Sequence, residues 1–203
     1  MIGQLYADAL GGARTELEYV DGTRIPLETA RWFDPIEGDD ILLERCTSPT
    51  LDIGSGPGRL TVALARRGVQ ALGIDITPSA VALTRRAGGF ALVRDVFDEI
   101  PMSGKWSTAL LADGNIGIGG HPQALLRRVR QLVRPGGLVL VEVDPPTTTS
   151  RVDRVRLRRG AHTGEWFGWA TVSAADLPRV AEATGFPAVE FQVEHDRWMA
   201  FLG

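Results

Sequence analysis

The sequence predicts an α/β fold organised around a doubly wound parallel sheet. Three observations lead to this class. From Pro49 onward, short apolar runs alternate with amphipathic segments of helical period. A glycine-rich turn, residues 54–58, lies between the first apolar run and the first helical segment. The alternation continues through five predicted strands, and right-handed crossovers between such strands place them side by side in one parallel sheet.

The first 48 residues predict a cap that precedes this sheet. Apolar residues recur at helical spacing from Ile2 and stop at Gly11-Gly12, which predicts a first helix. Residues 17–27 contain two extended runs around Asp21-Gly22, a strong signal for a hairpin turn. A second helix is predicted over residues 37–46, because its centre is apolar and its ends are polar.

The strands and helices of the sheet follow in order from residue 50. The first strand, residues 50–53, leads into a helix over residues 59–67. Thr77-Pro78 predicts the start of the next helix, because threonine is a good N-cap and proline fits the first helical turn. A helix over residues 123–133 carries its apolar residues on one face. The other strands are predicted at residues 69–74, 90–93, 108–111 and 138–143.

The chain changes character after the fifth strand. Two extended runs predict an inserted hairpin, and a helix and a terminal antiparallel pair follow it. These elements are predicted at residues 152–159, 166–172, 174–184, 189–194 and 198–202. We therefore expect one domain over residues 1–203, composed of a cap (1–48), a core (49–144), the inserted hairpin (145–173) and a C-terminal helix with two strands (174–203).

Three arginines of the inserted hairpin, Arg154, Arg156 and Arg158, fall on one face of their strand because side chains alternate across a sheet. Such a face is suited to an anionic substrate. It also suits an exposed edge strand, where charge prevents pairing with another chain. Of the two interpretations, the edge strand is favoured.

Composition narrows the class of protein further. The formal net charge of −3 disfavours a general nucleic-acid binder. The single cysteine, Cys46, excludes an intramolecular disulfide framework and a zinc site made only of cysteines. The histidines, His121, His162 and His195, have no ligand-like spacing, so we expect no metal site. No basic leader and no long apolar run is present, and we expect a cytoplasmic protein that does not cross a membrane.

The glycine-rich turn has a ligand-binding pattern. It reads LDIGSGPGRL over residues 51–60, and Gly54 and Gly56 allow a tight turn against which a ligand can lie. The spacing is G-x-G-x-G, whereas dinucleotide-binding proteins have G-x-G-x-x-G, and Arg59 stands where their third glycine would be. Asp75 ends the second strand, where an acidic residue can accept hydrogen bonds from both ribose hydroxyls.

Four segments, LDIGSGPGRL, GIDITPSAV, RDVFDEIP and LVRPGGLVLVEVD, occur in this order at strand ends. In order and spacing they resemble the successive motifs of class I S-adenosylmethionine (SAM)-dependent methyltransferases. The resemblance covers about residues 50–144 and, with the last helix and strands, most of the chain. It implies a Rossmann-like seven-stranded sheet, with a parallel core and an antiparallel C-terminal strand. SAM would be the cofactor and S-adenosylhomocysteine (SAH) the product.

The resemblance also implies roles for individual residues. Gly54, Ser55 and Gly56 would line the methionyl and ribose parts of SAM, and Asp75 would hold the ribose hydroxyls. Ile76 would pack on the adenine, and Asp95 would accept a hydrogen bond from the adenine amino group beside the Val96 backbone. Asp52 would orient the loop or reach the methionyl amino group. Two of these residues also have an ordinary structural interpretation. Asp52 would then cap the loop, and Asp95 would be a turn residue.

The segment after the fourth strand, ADGNIGIGGHP, should face the transferred methyl group. It departs from the N/D-P-P-Y/F signature of amino-directed nucleic-acid and protein-glutamine methyltransferases, which disfavours base and amide methylation. Asp113 and Asn115 are candidates to orient the SAM amino group or the substrate. His121 is the candidate catalytic base, although a position before Pro122 also suits a helix cap or an exposed residue. The four glycines allow a close approach to a ligand or make the loop mobile.

Aromatic residues of the cap and of the inserted hairpin are candidates for the substrate pocket. Trp32, Trp166 and Trp169 are the main ones, with Phe33 and Phe167 beside them, although core packing is the commoner role of such residues. We therefore expect methyl transfer to a small-molecule nucleophile, with oxygen slightly favoured over nitrogen. The alternatives are RNA or protein methylation, a SAM-binding protein without transfer activity and, more distantly, a nicotinamide-dependent oxidoreductase.

Overall fold

The computed structural model describes residues 3–203; Ile2, the first residue of the predicted first helix, lies outside that range. The helices are α1 Gly3–Leu10, α2 Asp39–Arg45, α3 Arg59–Arg66, α4 Pro78–Arg86, α5 Pro122–Leu132 and α6 Leu177–Glu182. The strands are β1 Glu16–Tyr19, β2 Arg24–Pro26, β3 Thr50–Ile53, β4 Ala71–Asp75, β5 Phe90–Val93, β6 Trp106–Leu111, β7 Val133–Val143, β8 Arg151–Arg159, β9 His162–Thr163, β10 Phe167–Thr171, β11 Val189–Glu194 and β12 Arg197–Leu202. Short 3₁₀ helices cover Thr29–Trp32 and Asn115–Gly117.

Seven strands form the large sheet, in the order β11-β12-β7-β6-β3-β4-β5. The five strands from β7 to β5 are parallel, whereas β12 pairs antiparallel with β7 and β11 antiparallel with β12. The predicted α/β fold, with a parallel core and an antiparallel ending, is confirmed. Chain order reverses between β3 and β6, so a crevice opens at the carboxyl ends of these strands, where ligands bind in open α/β sheets.

Apolar side chains cover both faces of this sheet. Alternate residues of β6 enter different clusters: Ala109 and Leu111 pack with α5, and Leu110 packs with α2 and α3. The side chains of β3 and β6 are all buried. A sheet covered on both faces holds its strands rigidly, and residues at the strand ends are therefore held in fixed positions.

The cap hairpin and the inserted hairpin join in a second sheet, in the order β10-β8-β1-β2 with β9 on β8. Leu17 of β1 lies opposite Leu157 of β8. The prediction that the arginine-rich strand is an exposed edge is wrong, because β8 lies between β10 and β1. Arg156 Nε donates to the buried Glu18 carboxylate at 2.7 Å, and Arg158 contacts the same carboxylate at 3.4 Å. Their charges are thus partly neutralised within the sheet.

Some element boundaries differ from the prediction. The fifth strand of the large sheet begins at Val133, ahead of the predicted residue 138, because Val133 pairs with Trp106 before a register shift in β6. Leu138 is the next residue of β7 to pair, with Thr108, so Pro135 and the two glycines after it form a bulge inside the strand, where Gly136 has a φ of +69°. The helix predicted over residues 174–184 is shorter, because Ser173 and Asp176 form a hydrogen-bonded turn ahead of it.

Candidate functional site

A cavity of about 470 Å³ lies between the carboxyl ends of the large sheet and the second sheet. One wall consists of the loops that follow β3, β4, β5 and β6. The opposite wall comes from α1, the 3₁₀ helix of the cap, and strands β1, β8 and β10. The second sheet therefore covers the crevice at the strand ends and turns it into a chamber of a volume typical for small-molecule sites.

The glycine-rich loop after β3 is held in place by a side chain from the loop after β6. Asn115 Nδ2 donates to the carbonyl oxygens of Ile53 at 2.9 Å and of Gly54 at 3.0 Å. A Cβ on Gly54 would lie 2.8 Å from that nitrogen, and the φ of Gly54 is +70°. Only glycine fits this position without strain, so the predicted candidate Asn115 has a positioning contact in the site.

Asp75 connects the loops after β3 and β4. Its Oδ2 accepts the Gly56 N–H at 3.0 Å, and its Oδ1 accepts the Thr77 N–H at 2.8 Å. Burial raises the pKa of Asp75, and these two backbone bonds act in the opposite direction. A carboxylate has about four acceptor sites, so each oxygen retains capacity for another donor on the cavity side.

Asp52 lies beneath the glycine-rich loop. The Thr61 hydroxyl donates to its Oδ2 at 2.6 Å, which links the end of β3 to the first turn of α3. The side chain is buried, and burial raises the pKa of Asp52 to about 6. The loop-orienting interpretation of Asp52 therefore has a direct structural counterpart, although the residue also lines the cavity.

Replacement of Asp52 with asparagine is expected to change how stability depends on pH. The pKa of Asp52 is about 6 in the folded protein and 3.8 in the reference state. Between these values the folded protein retains a proton that the unfolded chain releases. The free energy of unfolding of the wild type therefore falls as pH rises from about 4 to about 6, by up to about 3 kcal/mol. Urea denaturation at both ends of this range should show that Asp52→Asn gains stability over the wild type only at the higher pH.

The matched control for this measurement is Asp98→Asn. Asp98 is exposed and outside the cavity, so its replacement should leave the pH dependence unchanged. An Asp52→Asn variant that differs from the wild type by the same free energy at both pH values would contradict the raised pKa.

A closed ring of charged side chains lies behind the loop after β6. Arg59 pairs with Asp39 and with Asp113, the latter at 2.5 Å. Glu142 accepts the Asp113 N–H at 2.8 Å and the Arg197 guanidinium at 2.9 Å, and Arg197 also contacts Asp39 at 3.0 Å. No sequence pattern predicts this ring, and the only expectation for Arg59 is that it stands where dinucleotide-binding proteins have their third glycine. In the structure its guanidinium enters the ring.

Three buried polar atoms of cavity-lining residues have no hydrogen-bond partner: Ser55 Oγ, Arg59 Nε and Asp113 Oδ1. Arg31 Nη2 lies 3.8 Å from Asp113 Oδ1, beyond hydrogen-bond distance. These three atoms have almost no accessible surface, so they lie behind the cavity wall and are exceptions to the rule that buried polar atoms are paired. Asp113 has a φ of +52°, which is unusual for a residue with a Cβ and typical of functional loops.

The end of the cavity beside the loops after β4 and β5 combines apolar and polar groups. Ile76 is 51% exposed and lines the cavity with Asp95, Val96 and Phe97. Asp95 Oδ1 accepts the Phe97 N–H at 2.9 Å, so Asp95 forms a turn and also lines the cavity. The two interpretations of Asp95 are therefore compatible.

Two predicted site residues lie outside the cavity. His121 is exposed at the N-cap position of α5, and its side chain makes no capping bond. Trp166 packs beneath the Arg156 guanidinium, with 4.5 Å from Cζ to the ring centroid. By contrast, Trp32 and Trp169 line the cavity. Neither His121 nor Trp166 is among the residues that line the cavity.

Two of the four glycines in residues 114–120, Gly117 and Gly120, lie against β10, and Gly119 lines the cavity. A Cβ on Gly117 would lie 2.1 Å from the carbonyl oxygen of Ala170 in β10. Ile118 forms an isolated bridge with Trp169 of the same strand. The glycines therefore allow β10 to pack against this loop, which fixes the inserted hairpin over the cavity.

The comparison with protein families agrees with the resemblance drawn from the motifs. Residues 50–137, which are 88 of the 203 residues, match a family model described as a methyltransferase domain. The match extends from β3 into the first part of β7 and includes the loops that line one wall of the cavity.

Solved structures of methyltransferases have the same fold as this chain. A SAM-dependent methyltransferase from Bacteroides fragilis, in complex with SAH, has 22% identity and a TM-score of 0.82 and covers 100% of this chain and 93% of its own. A 1,6-didemethyltoxoflavin-N1-methyltransferase from Burkholderia thailandensis has 19% identity and a TM-score of 0.60, and the alignment covers 81% of this chain and 75% of that protein. A sugar N-methyltransferase from Streptoalloteichus has 16% identity and a TM-score of 0.57, and the alignment covers 81% of this chain and 83% of that protein. A search of curated proteins found no match.

Membrane spans and metal clusters were also sought in residues 3–203. None of the helices there has the length and apolar character needed to span a bilayer. In the same residues, no group of three or more histidine, cysteine, aspartate or glutamate side chains is placed to hold a metal ion.

Proposed function

We propose that the protein transfers a methyl group from SAM to a small-molecule nucleophile and releases SAH. The observation that carries this proposal is the cavity at the strand ends, with the glycine-rich loop and the Asp75 carboxylate together in its wall. The amino-acid end of SAM has an ammonium donor and a carboxylate acceptor, and it would lie beside Asp113 and Arg59, which line the cavity next to that loop.

The remaining cofactor contacts follow from the positions of the strand ends. Asp75 would accept the ribose hydroxyls with the free capacity of its two oxygens, and Gly54 and Gly56 would leave room for the ribose and methionyl parts. Ile76 would pack on the adenine, with Asp95 and the Val96 backbone at its edge. Asp52 and Asn115 would hold the loop from below, through Thr61 and through the Ile53 and Gly54 carbonyls.

The second sheet would hold the methyl acceptor. SAM, when bound, supplies an electrophilic methyl group on a sulfonium. Trp32 and Trp169 form part of the acceptor wall, and Tyr6 packs on Trp32 with 5.9 Å between ring centroids. Catalysis of this kind depends on orientation and exclusion of water. Oxygen is slightly favoured over nitrogen as the acceptor atom.

A SAM-binding protein without transfer activity is the second candidate. One observation favours it: in the part of the chain that the structure describes, no histidine, lysine, cysteine or glutamate lines the cavity. Methyl transfer does not require a general base when the nucleophile is already reactive, so this observation does not exclude catalysis.

The cofactor proposal is tested by thermal melting with SAM, SAH and NAD. A ligand at 100 times its dissociation constant should stabilise the folded protein by about 2.7 kcal/mol. We expect SAM and SAH to raise the melting temperature and NAD to leave it unchanged. A shift with NAD and none with SAM or SAH would overturn the proposal.

A further inference from the structure

The half of the cavity beneath the second sheet is apolar. Leu17 and Leu157 face each other in the register of β1 and β8, and Trp169 approaches from β10. The other walls there are Leu27, Trp32, Ile118 and Phe167. Such a surface binds an apolar and preferably aromatic molecule, because burial of apolar area drives association and aromatic rings pack on one another.

The acidic residues that line the cavity are confined to the wall formed by the strand ends and loops of the large sheet. Asp52 and Asp75 are hydrogen-bonded within the loops after β3 and β4, and Asp95 within its own turn. Asp113 is paired with Arg59. Arg59 and Arg94 are the arginines of the lining, and an arginine side chain does not act as a proton acceptor.

The half of the cavity beneath the second sheet is called the acceptor half, and Tyr6 is its titratable residue. Its hydroxyl lies 3.6 Å from the position of a Cβ on Gly56, at the border with the cofactor half. Burial, with the charges of Asp75 and Asp113, raises the pKa of Tyr6 above its usual range. The phenol therefore keeps its proton near neutral pH and is available as a hydrogen-bond donor.

We propose that the methyl acceptor is an apolar aromatic molecule whose accepting atom is an ionisable hydroxyl or thiol, and that it reacts as its own anion. This inference rests on the proposed methyl transfer from SAM. Nothing in the acceptor half removes a proton, so the acceptor must lose it to water before or during binding.

With SAM bound, charge explains why an anion suits this chamber better than an amine does: Asp75 and Asp113 oppose an anion in the cavity, and the ammonium and the sulfonium of SAM would offset them. A neutral amine becomes an ammonium when it gains a methyl group, and the acceptor half contains no carboxylate to stabilise a new cation. An anion and a sulfonium cancel each other's charge, and a medium of low dielectric constant favours that cancellation. A lone pair on the acceptor oxygen or sulfur forms the bond to the methyl carbon. The bond from that carbon to the sulfonium sulfur breaks, its electron pair stays on sulfur, and the products are a methyl ether or thioether and SAH.

The first test is spectroscopic and needs no turnover. The probe is 4-nitrophenol, whose phenolate absorbs at longer wavelength than the phenol. It is titrated with pH on the protein saturated with SAH, and on the protein saturated with a SAM analogue that has an ammonium in place of the sulfonium. A nearby cation should lower the pKa of bound nitrophenol by about one unit or more relative to the SAH complex. Equal pKa values in the two complexes would overturn the proposal.

The second test is kinetic, with para-substituted phenols and thiophenols compared with anilines and benzylamines of the same shape. We expect the phenols and thiophenols to be methylated, and the pH at which kcat/KM levels off to follow the pKa of each acceptor. Loss of a general base lowers kcat/KM by about 100-fold or more. Tyr6→Phe should have a smaller effect and should not change the pH at which kcat/KM levels off. Faster methylation of the amines, or a fixed pH limb that Tyr6→Phe removes, would overturn the proposal.

The outcomes distinguish this inference from the proposed function. If SAH binds and none of the phenols or thiophenols is methylated, the inference about the acceptor is overturned while the cofactor proposal stands. If neither SAM nor SAH binds, the proposed function itself fails.

Discussion

Replacement of Asp75 with asparagine is expected to weaken SAH binding at least about 100-fold. The carboxylate would accept two ribose hydroxyls, and hydrogen bonds to a charged group contribute about 1.5–3 kcal/mol each. Asparagine has the same shape but one acceptor oxygen and no charge, so it should retain one of the two backbone contacts, to Gly56 or to Thr77. Calorimetric titration of SAH into each protein measures the change.

Asp98→Asn is the matched control for this titration. Asp98 is an exposed aspartate that does not line the cavity, and its replacement should leave the dissociation constant unchanged within error. An Asp75→Asn protein that binds SAH as tightly as the wild type would show that the ribose lies elsewhere.

The second large effect concerns stability. Arg59→Met is expected to lower the free energy of unfolding by about 3 kcal/mol, because it leaves the partly buried Asp113 without its closest cation and the buried Asp39 with Arg197 alone. The pKa of Asp39 shows the strength of this interaction: burial alone would raise it, but the bonds from Arg59 and the Ile36 N–H outweigh burial and lower it. Chemical denaturation of the two proteins gives the difference.

The same pair of helices provides the control. Arg67 of the α3 C-terminus pairs with Asp40 of α2, one residue from Asp39, but both partners are exposed. Arg67→Met should cost less than about 1 kcal/mol, as is usual for surface ion pairs. Equal losses in Arg59→Met and Arg67→Met would mean that the buried ring does not support the fold.

The large sheet was predictable because its strands are marked locally. Residues 50–53 and 90–93 are apolar runs bounded by turns, and the structure has the same bounds. The second sheet was not predictable in this way. Leu17 and Leu157 are far apart in sequence, and no local pattern in either hairpin specifies the other as its partner.

The site shows a similar division. The glycine-rich loop and Asp75 follow from the motif at two neighbouring strand ends, where the topology brings them together. His121 was misplaced, because a position before a helix does not determine which way a side chain points. The ring of Asp39, Arg59, Asp113, Glu142 and Arg197 joins five separate segments, and composition alone gives no sign of such a network.

A crystal structure of the protein with SAH tests the central claim most directly. We predict SAH in the cavity between the two sheets, with its ribose hydroxyls on Asp75, its adenine beside Ile76 and its amino-acid end at Asp113 and Arg59. SAH bound outside this cavity, or with its ribose away from Asp75, would contradict the proposed site.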